Sequence, residues 1–181
     1  MPLAFRDAFI DVDTQIDFVF PAGALYVPGA ERILPVVASL NRHAMEHGIP
    51  LISTVCAHAE DDTEFAEWPP HCILGTVGQL KPAALQVGQR LFEKQTTDLF
   101  QSPNAEALLE ELGAREFLVY GVVTEVCVSA AALGLLQRGR HVAVVEDAVM
   151  QFDPAAAALF YEELKARGGT VCKSSDVLCP R

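Results

Sequence analysis

The sequence is short of positive charge: 13 Lys and Arg stand against 24 Asp and Glu, a formal net charge of −11. A polyanion is repelled by such a field, which excludes DNA and RNA as partners. It also lacks any uncharged apolar run of the roughly 18 to 20 residues that span a bilayer. Arg6, Asp7 and Asp11 interrupt the N-terminus where a secretory leader has its apolar stretch. The expectation is a cytoplasmic protein with no membrane partner. Neither Gly-x-Gly-x-x-Gly nor a Walker loop occurs, so both common phosphate cradles are missing. Internal repeats and low-complexity tracts are absent too. Cysteine is sparse and odd in number: Cys56, Cys72, Cys127, Cys172 and Cys179. A chain of 181 residues needs no disulfide staples, so free thiols with chemistry of their own are expected.

What is present is core material. Hydrophobic residues make up 51% of the chain, with ten Phe, three Tyr and one Trp, enough for one packed domain over 1–181. Apolar runs and helical patterns alternate along it. Residues 8–13 read as a strand. From near Gly29, Ile33, Val37, Leu40 and Ala44 recur at helical spacing until Gly48. A β-branched run at 49–55 reads as a buried strand, and a long polar stretch follows at 56–89; a loop of that length has a function. Residues 90–92 suggest a short strand. Ser102 and Pro103 read as the cap and first position of a helix with Leu108, Leu109 and Leu112 on its buried side. Then come a strand at 117–120, a small-residue helix at 125–138 and a strand at 141–145. A helix capped by Asp153 and Pro154 runs to Gly168-Gly169, and a last strand is expected at 170–173.

Five or six strands separated by helices predict an α/β fold, a doubly wound three-layer α/β/α sandwich around a mostly parallel sheet. Ligands collect outside the carboxyl ends of such strands. The residues there are Asp13, the 56–58 corner, Lys94, the 121–127 turn and Asp147. Cys127 opens a helix, where unpaired N–H groups and the helix dipole favour thiolate and can also hold an oxyanion. Asp13 can take the thiol proton and return one to a leaving amine. Lys94 can keep Asp13 ionised and add positive potential beside the thiol. Taken singly, each has a plainer reading: a small buried residue in an Ala-rich helix, a turn aspartate, a solvated surface lysine. Their joint placement at one sheet edge favours the chemical reading.

These segments resemble the isochorismatase-like cysteine hydrolases, the nicotinamidase branch above all. The resemblance rests on Asp13-Thr14-Gln15-Ile16-Asp17-Phe18, Phe92-Glu93-Lys94, Gly121-Val122-Val123-Thr124-Glu125-Val126-Cys127-Val128 and Trp68-Pro69-Pro70-His71, in the family's order from about residue 8 to residue 150. It implies a catalytic triad of Asp13, Lys94 and Cys127, a cis peptide between Val122 and Val123, and an oxyanion site formed by the N–H groups of Val123 and Cys127. Enzymes of this family that cleave isochorismate itself lack the nucleophilic cysteine, so Cys127 argues against that ether chemistry.

Nicotinamidases hold a divalent metal with an Asp-x-His pair and a later His. Here the matching residues are Cys56, His58 and His71, with Cys56 at the aspartate position. A thiolate and two imidazoles suit zinc ahead of iron or manganese, with Glu64 or Glu67 available to complete the sphere. The alternative is that Cys56 packs the strand end, His58 is a loop residue and His71 is fixed by the Pro-Pro before it. Cys72 points the other way if the chain is extended there. By the same resemblance Phe18 and Trp68 line a ring pocket, to which Phe20 can add. Some nicotinamidases place an aromatic shortly after the lysine, where this chain has Gln95-Thr96-Thr97. The implied reaction converts a small carboxamide, nicotinamide or similar, to its acid and ammonia through a thioester. The alternatives are a metal-free hydrolase of a carbamoyl, ureido or other small acyl substrate, and a thiol-based binding or redox protein with an idle site. The family also implies a homodimer or homotetramer, with the Ala-rich last helix as a contact. His43, His47, His141, Cys172 and Cys179 receive no role.

Overall fold

In the computed structural model, which describes residues 7–179, the apolar runs become strands and the amphipathic stretches helices. Arg6, counted above among the charges that interrupt the N-terminus, lies outside the described residues. The strands are β1 (Ala8–Val12), β2 (Leu51–Cys56), β3 (Arg90–Lys94), β4 (Glu116–Val122), β5 (His141–Met150) and β6 (Thr170–Cys172). The helices are α1 (Ile16–Val19), α2 (Leu34–Glu46), α3 (Ala105–Leu112), α4 (Ser129–Gln137), α5 (Pro154–Ala166) and α6 (Ser174–Leu178). Every strand pairing is parallel, in the order β3-β2-β1-β4-β5-β6. The chain winds outward from β1 through β2 to β3, then from β4 through β5 to β6. The reversal falls between β1 and β4, and the crevice beyond their carboxyl ends is where such a sheet takes a ligand.

Covered on both faces, β1 and β2 are buried at every position, which is why they read as continuous apolar runs. α2 buries Val37, Ala38, Leu40, Asn41 and Ala44, the stripe visible in the sequence, and stops at Gly48 in the left-handed region. Asp153 accepts from the Ala155 N–H and caps α5. Gly121, at φ 118°, lies against β1 so closely that a Cβ would overlap the Val12 backbone, so only glycine fits.

The interior also holds charge. Asp11 is fully buried and accepts from Thr14 Oγ1 (2.7 Å), Asn41 Nδ2 (3.0 Å) and Ser53 Oγ (3.1 Å), while Lys81 Nζ pairs with it at 3.0 Å. With its partners supplied, this pair fastens the 57–89 loop to β1. Two short turns, Thr63–Ala66 and Ala83–Leu85, and a bridge between His58 and Ile73 give that loop further order. Among the described residues no helix is long and apolar enough to cross a membrane.

The structure departs from the sequence reading in three places. Asp98 caps a turn at Leu99–Gln101, so the chain is still turning at Ser102 and Pro103; α3 begins at Ala105. β5 runs past an irregularity in its pairing with β4 and reaches Met150, so Asp147 lies within the strand rather than at its end and binds Ser174. The short helices α1 and α6 carry too few residues to show a period.

Candidate active site

β1, β2, β3 and β4 deliver their last residues to one place. Asp13 follows β1 at φ 48°, fully buried, with its N–H donating to the Thr54 carbonyl (3.1 Å). Asp13 Oδ1 accepts from Thr54 Oγ1 at 2.7 Å, and Oδ2 lies 2.7 Å from Lys94 Nζ. Lys94 ends β3 opposite Cys56, and its amine also reaches the Thr96 carbonyl (3.0 Å), Cys56 Sγ (3.3 Å) and Cys127 Sγ (3.8 Å). The three residues expected as a triad are therefore brought together. Burial works against the Lys94 cation, but the Asp13 carboxylate beside it outweighs this, joined by the two sulfurs once they ionise, and the amine is held well above its ordinary value. Lys94 stays charged.

Cys127 lies in a π-helical turn, Thr124–Val128, that leads into α4. Here the sequence reading needs correction. The thiol is buried, and burial pushes its pKa well above the ordinary value although the Lys94 charge opposes this. The helix start alone favours thiolate, but desolvation is the larger effect, so Cys127 rests as a thiol and needs a base. Val123 precedes the turn in an extended conformation, and the Val122–Val123 peptide is cis.

Val123 and Cys127 both line a cavity of about 310 Å³ with its mouth included. The other walls are Phe18, Leu25, Trp68, Thr97, Val126 and Phe152, with Cys56, Glu64 and His71 to one side. Trp68 and Phe152 stack with ring centres 6.2 Å apart, and Phe18 packs on His71 at 5.2 Å. Phe18 and Trp68 therefore both line the cavity. Phe20 packs against the core instead of lining the cavity. Thr97 takes part of the wall after the lysine, and Phe152 supplies an aromatic from the far side of the sheet.

Cys56, His58 and His71 are all buried and bring one ligand atom each within 4.8 Å of the others. His58 Nδ1 lies 3.0 Å from Asp62 Oδ2, and His71 Nδ1 donates to the Pro69 carbonyl at 2.7 Å. Such outer partners leave each Nε2 for a ligand. His58 Nε2 faces Glu64 Oε2 at 3.2 Å, and both atoms are buried without a hydrogen-bond partner. An orphaned imidazole nitrogen and an orphaned carboxylate oxygen beside a thiol and a second imidazole form a donor set that fits a divalent cation. Burial lowers His71, which keeps it neutral and able to ligate, and pushes Cys56 up to about 12, so Cys56 ligates only by giving up a proton. Glu67 is exposed. Cys72 is not extended but sits at φ 45° with its N–H on Asp17 Oδ2, and it stays outside the cluster.

Sequence reasoning missed Thr54, Leu25, Val126 and Phe152. Phe152 was detectable only by extending the fifth strand through 146–150, which would have put it just past the carboxyl end.

Comparison with known proteins agrees with this geometry. The isochorismatase domain model matches residues 7–176. The crystal structure of the pyrazinamidase of Pyrococcus horikoshii in complex with zinc is 32% identical, with a TM-score of 0.85 over 92% of this chain and 98% of that one. The nicotinamidase of Escherichia coli (strain K12) is 26% identical, covering 93% of this chain and 95% of the relative. A streptothricin hydrolase of Streptomyces noursei is 32% identical over 153 residues, 83% of this chain but 56% of its own length, so the chain spans little more than half of that relative. The match across nearly the whole domain, together with the thiol, carboxylate and amine at one sheet edge, makes this chain a member of the isochorismatase domain family.

Proposed function

We propose that the protein hydrolyses a small, uncharged carboxamide on a flat ring, with nicotinamide as the model substrate, to the acid and ammonia. The observation behind this reading is the buried Asp13, Lys94 and Cys127 constellation at the wall of an aromatic cavity. Asp13 takes the Cys127 proton, and the sulfur attacks the carbonyl carbon. The N–H groups of Val123 and Cys127 hold the resulting oxyanion. As the oxyanion collapses, the C–N bond breaks, Asp13 returns its proton to the leaving amine, and a thioester remains. Asp13 then accepts a proton from water, whose oxygen attacks the thioester; the acid leaves and the thiol is restored. The Lys94 amine, 2.7 Å from Asp13 Oδ2, holds the carboxylate in place and balances the negative charge that develops at the site.

Cys56, His58 and His71, with Glu64, would hold one divalent ion, zinc first because a thiolate is a soft ligand. When bound, the ion supplies a Lewis-acid site beside the cavity for a ring nitrogen or water.

The aromatic walls separate the carbamoyl and ureido acids from this reading. Phe18, Trp68 and Phe152 line the cavity, and a flat ring packs on such walls where an acyclic carbamoyl or ureido acid does not. Ammonia release from nicotinamide, from an N-carbamoyl amino acid and from a neutral acyclic amide tests the assignment. Preference for nicotinamide that disappears in Cys127→Ala supports it, and preference for the carbamoyl acid overturns it.

A further inference from the structure

We infer that Glu125 is a positioning residue that ties the nucleophile turn to Phe152 and so sets the aromatic wall that selects a flat ring; the substrate side of this inference rests on the function proposed above. Glu125 lies two residues after Val123 and two before Cys127, inside the π-helical turn. Its Oε1 accepts from the Phe152 N–H (2.9 Å) and from the Asp153 N–H (2.8 Å). Both donors precede α5, whose own first turn is served by Asp153, which accepts from Ala155 N at 2.8 Å. The Glu125 carboxylate is therefore not needed as the helix cap. It spends one oxygen on the backbone that presents Phe152, and its Oε2 is buried with no hydrogen-bond partner. Two charge-assisted bonds fix that backbone to the turn holding the nucleophile. Phe152 in turn stacks on Trp68 at 6.2 Å and 23°, so a ring from the segment after β5 and one from the 57–89 loop together line the cavity. Releasing Phe152 opens one side of the ring site while the Asp13, Lys94 and Cys127 contacts stay in place.

Trp68 is the single tryptophan of the chain, so intrinsic fluorescence reports this wall without any substrate. Glu125→Ala is expected to raise acrylamide quenching of Trp68 and to raise the nicotinamide KM about tenfold, with kcat changed less than about threefold. Glu125→Gln, whose amide oxygen can still accept both N–H bonds, is expected to restore quenching and KM. Phe152→Ala raises KM similarly, and adding Glu125→Ala to it changes KM little further, because one acts through the other. If Glu125→Ala does not fold, Glu125→Asp, one methylene too short to reach both donors, takes its place. Unchanged quenching and KM, a fall in kcat alone, or failure of Glu125→Gln to restore the wall overturns the inference. Absence of wild-type nicotinamide turnover would instead count against the proposed substrate, and the quenching series would still decide the role of Glu125.

Discussion

Lys94→Met strikes the site at its electrostatic centre. The wild-type amine is buried, 2.7 Å from Asp13 Oδ2, 3.0 Å from the Thr96 carbonyl and 3.3 Å from Cys56 Sγ. Methionine keeps the apolar stem and removes the cation, leaving the carboxylate in the interior with Thr54 Oγ1 as its side-chain donor. Deleting one partner of a buried pair costs about 3 to 5 kcal/mol. Urea unfolding at pH 7 should therefore show a loss of about 3 to 5 kcal/mol. The wild-type Lys94 amine is held well above the ordinary lysine value, so its charge is constant through neutral and mildly alkaline pH and is lost only in strong alkali. Adding Asp13→Asn removes the stranded charge and should recover part of the loss. A loss below about 1 kcal/mol, or no recovery in the double variant, contradicts this account.

Further outcomes follow from the same geometry. Thr54→Val keeps the β-branched shape and removes the hydroxyl that donates to Asp13 Oδ1; steady-state kinetics should show kcat/KM reduced about tenfold or more, the value of a hydrogen bond to a charged group. Burial holds the Cys56 thiol at about 12, so zinc uptake by metal-free protein should release its proton and tighten about tenfold per pH unit from pH 7.5 to 8.5. Calorimetry in two buffers of different ionisation heat counts that proton, and Cys56→Ala should not release it. Cys172 is also held up to about 12, by burial first and then by Asp176, Asp147 and Glu146. The folded thiol stays neutral while the unfolded one ionises, so above pH 9 Cys172 should add about 1.4 kcal/mol per pH unit to the fall in stability that the other buried thiols share, and Cys172→Ala should lessen the slope by about that amount. An unchanged slope in denaturant titrations would contradict that account.

Most of the fold was legible because parallel strands buried on both faces leave long apolar words, and α2 leaves a clean period. Asp13, Lys94 and Cys127 were legible for a related reason: Asp13 follows a strand, Lys94 ends one and Cys127 lies in the turn after another, and such a sheet gathers strand ends at one edge. Cys56, His58 and His71 showed their chemistry but not their mutual distance, because the 57–89 loop is shaped by contacts far away in sequence, Lys81 on Asp11 among them. The resting state of Cys127 depends on burial, which the local helix-start argument leaves out. Phe152 and Glu125 were missed because their meeting spans 27 residues and a strand extension that polar Glu146 and Asp147 conceal.

In the proposed mechanism Cys127 carries the acyl group. Acid quenching during nicotinamide turnover, followed by mass spectrometry of the digested protein, tests it directly. A nicotinoyl adduct on the peptide containing Cys127, present in the wild type and missing in Cys127→Ala, is the predicted result. Ammonia release that persists in Cys127→Ala, or an adduct on Cys56 in its place, would contradict it.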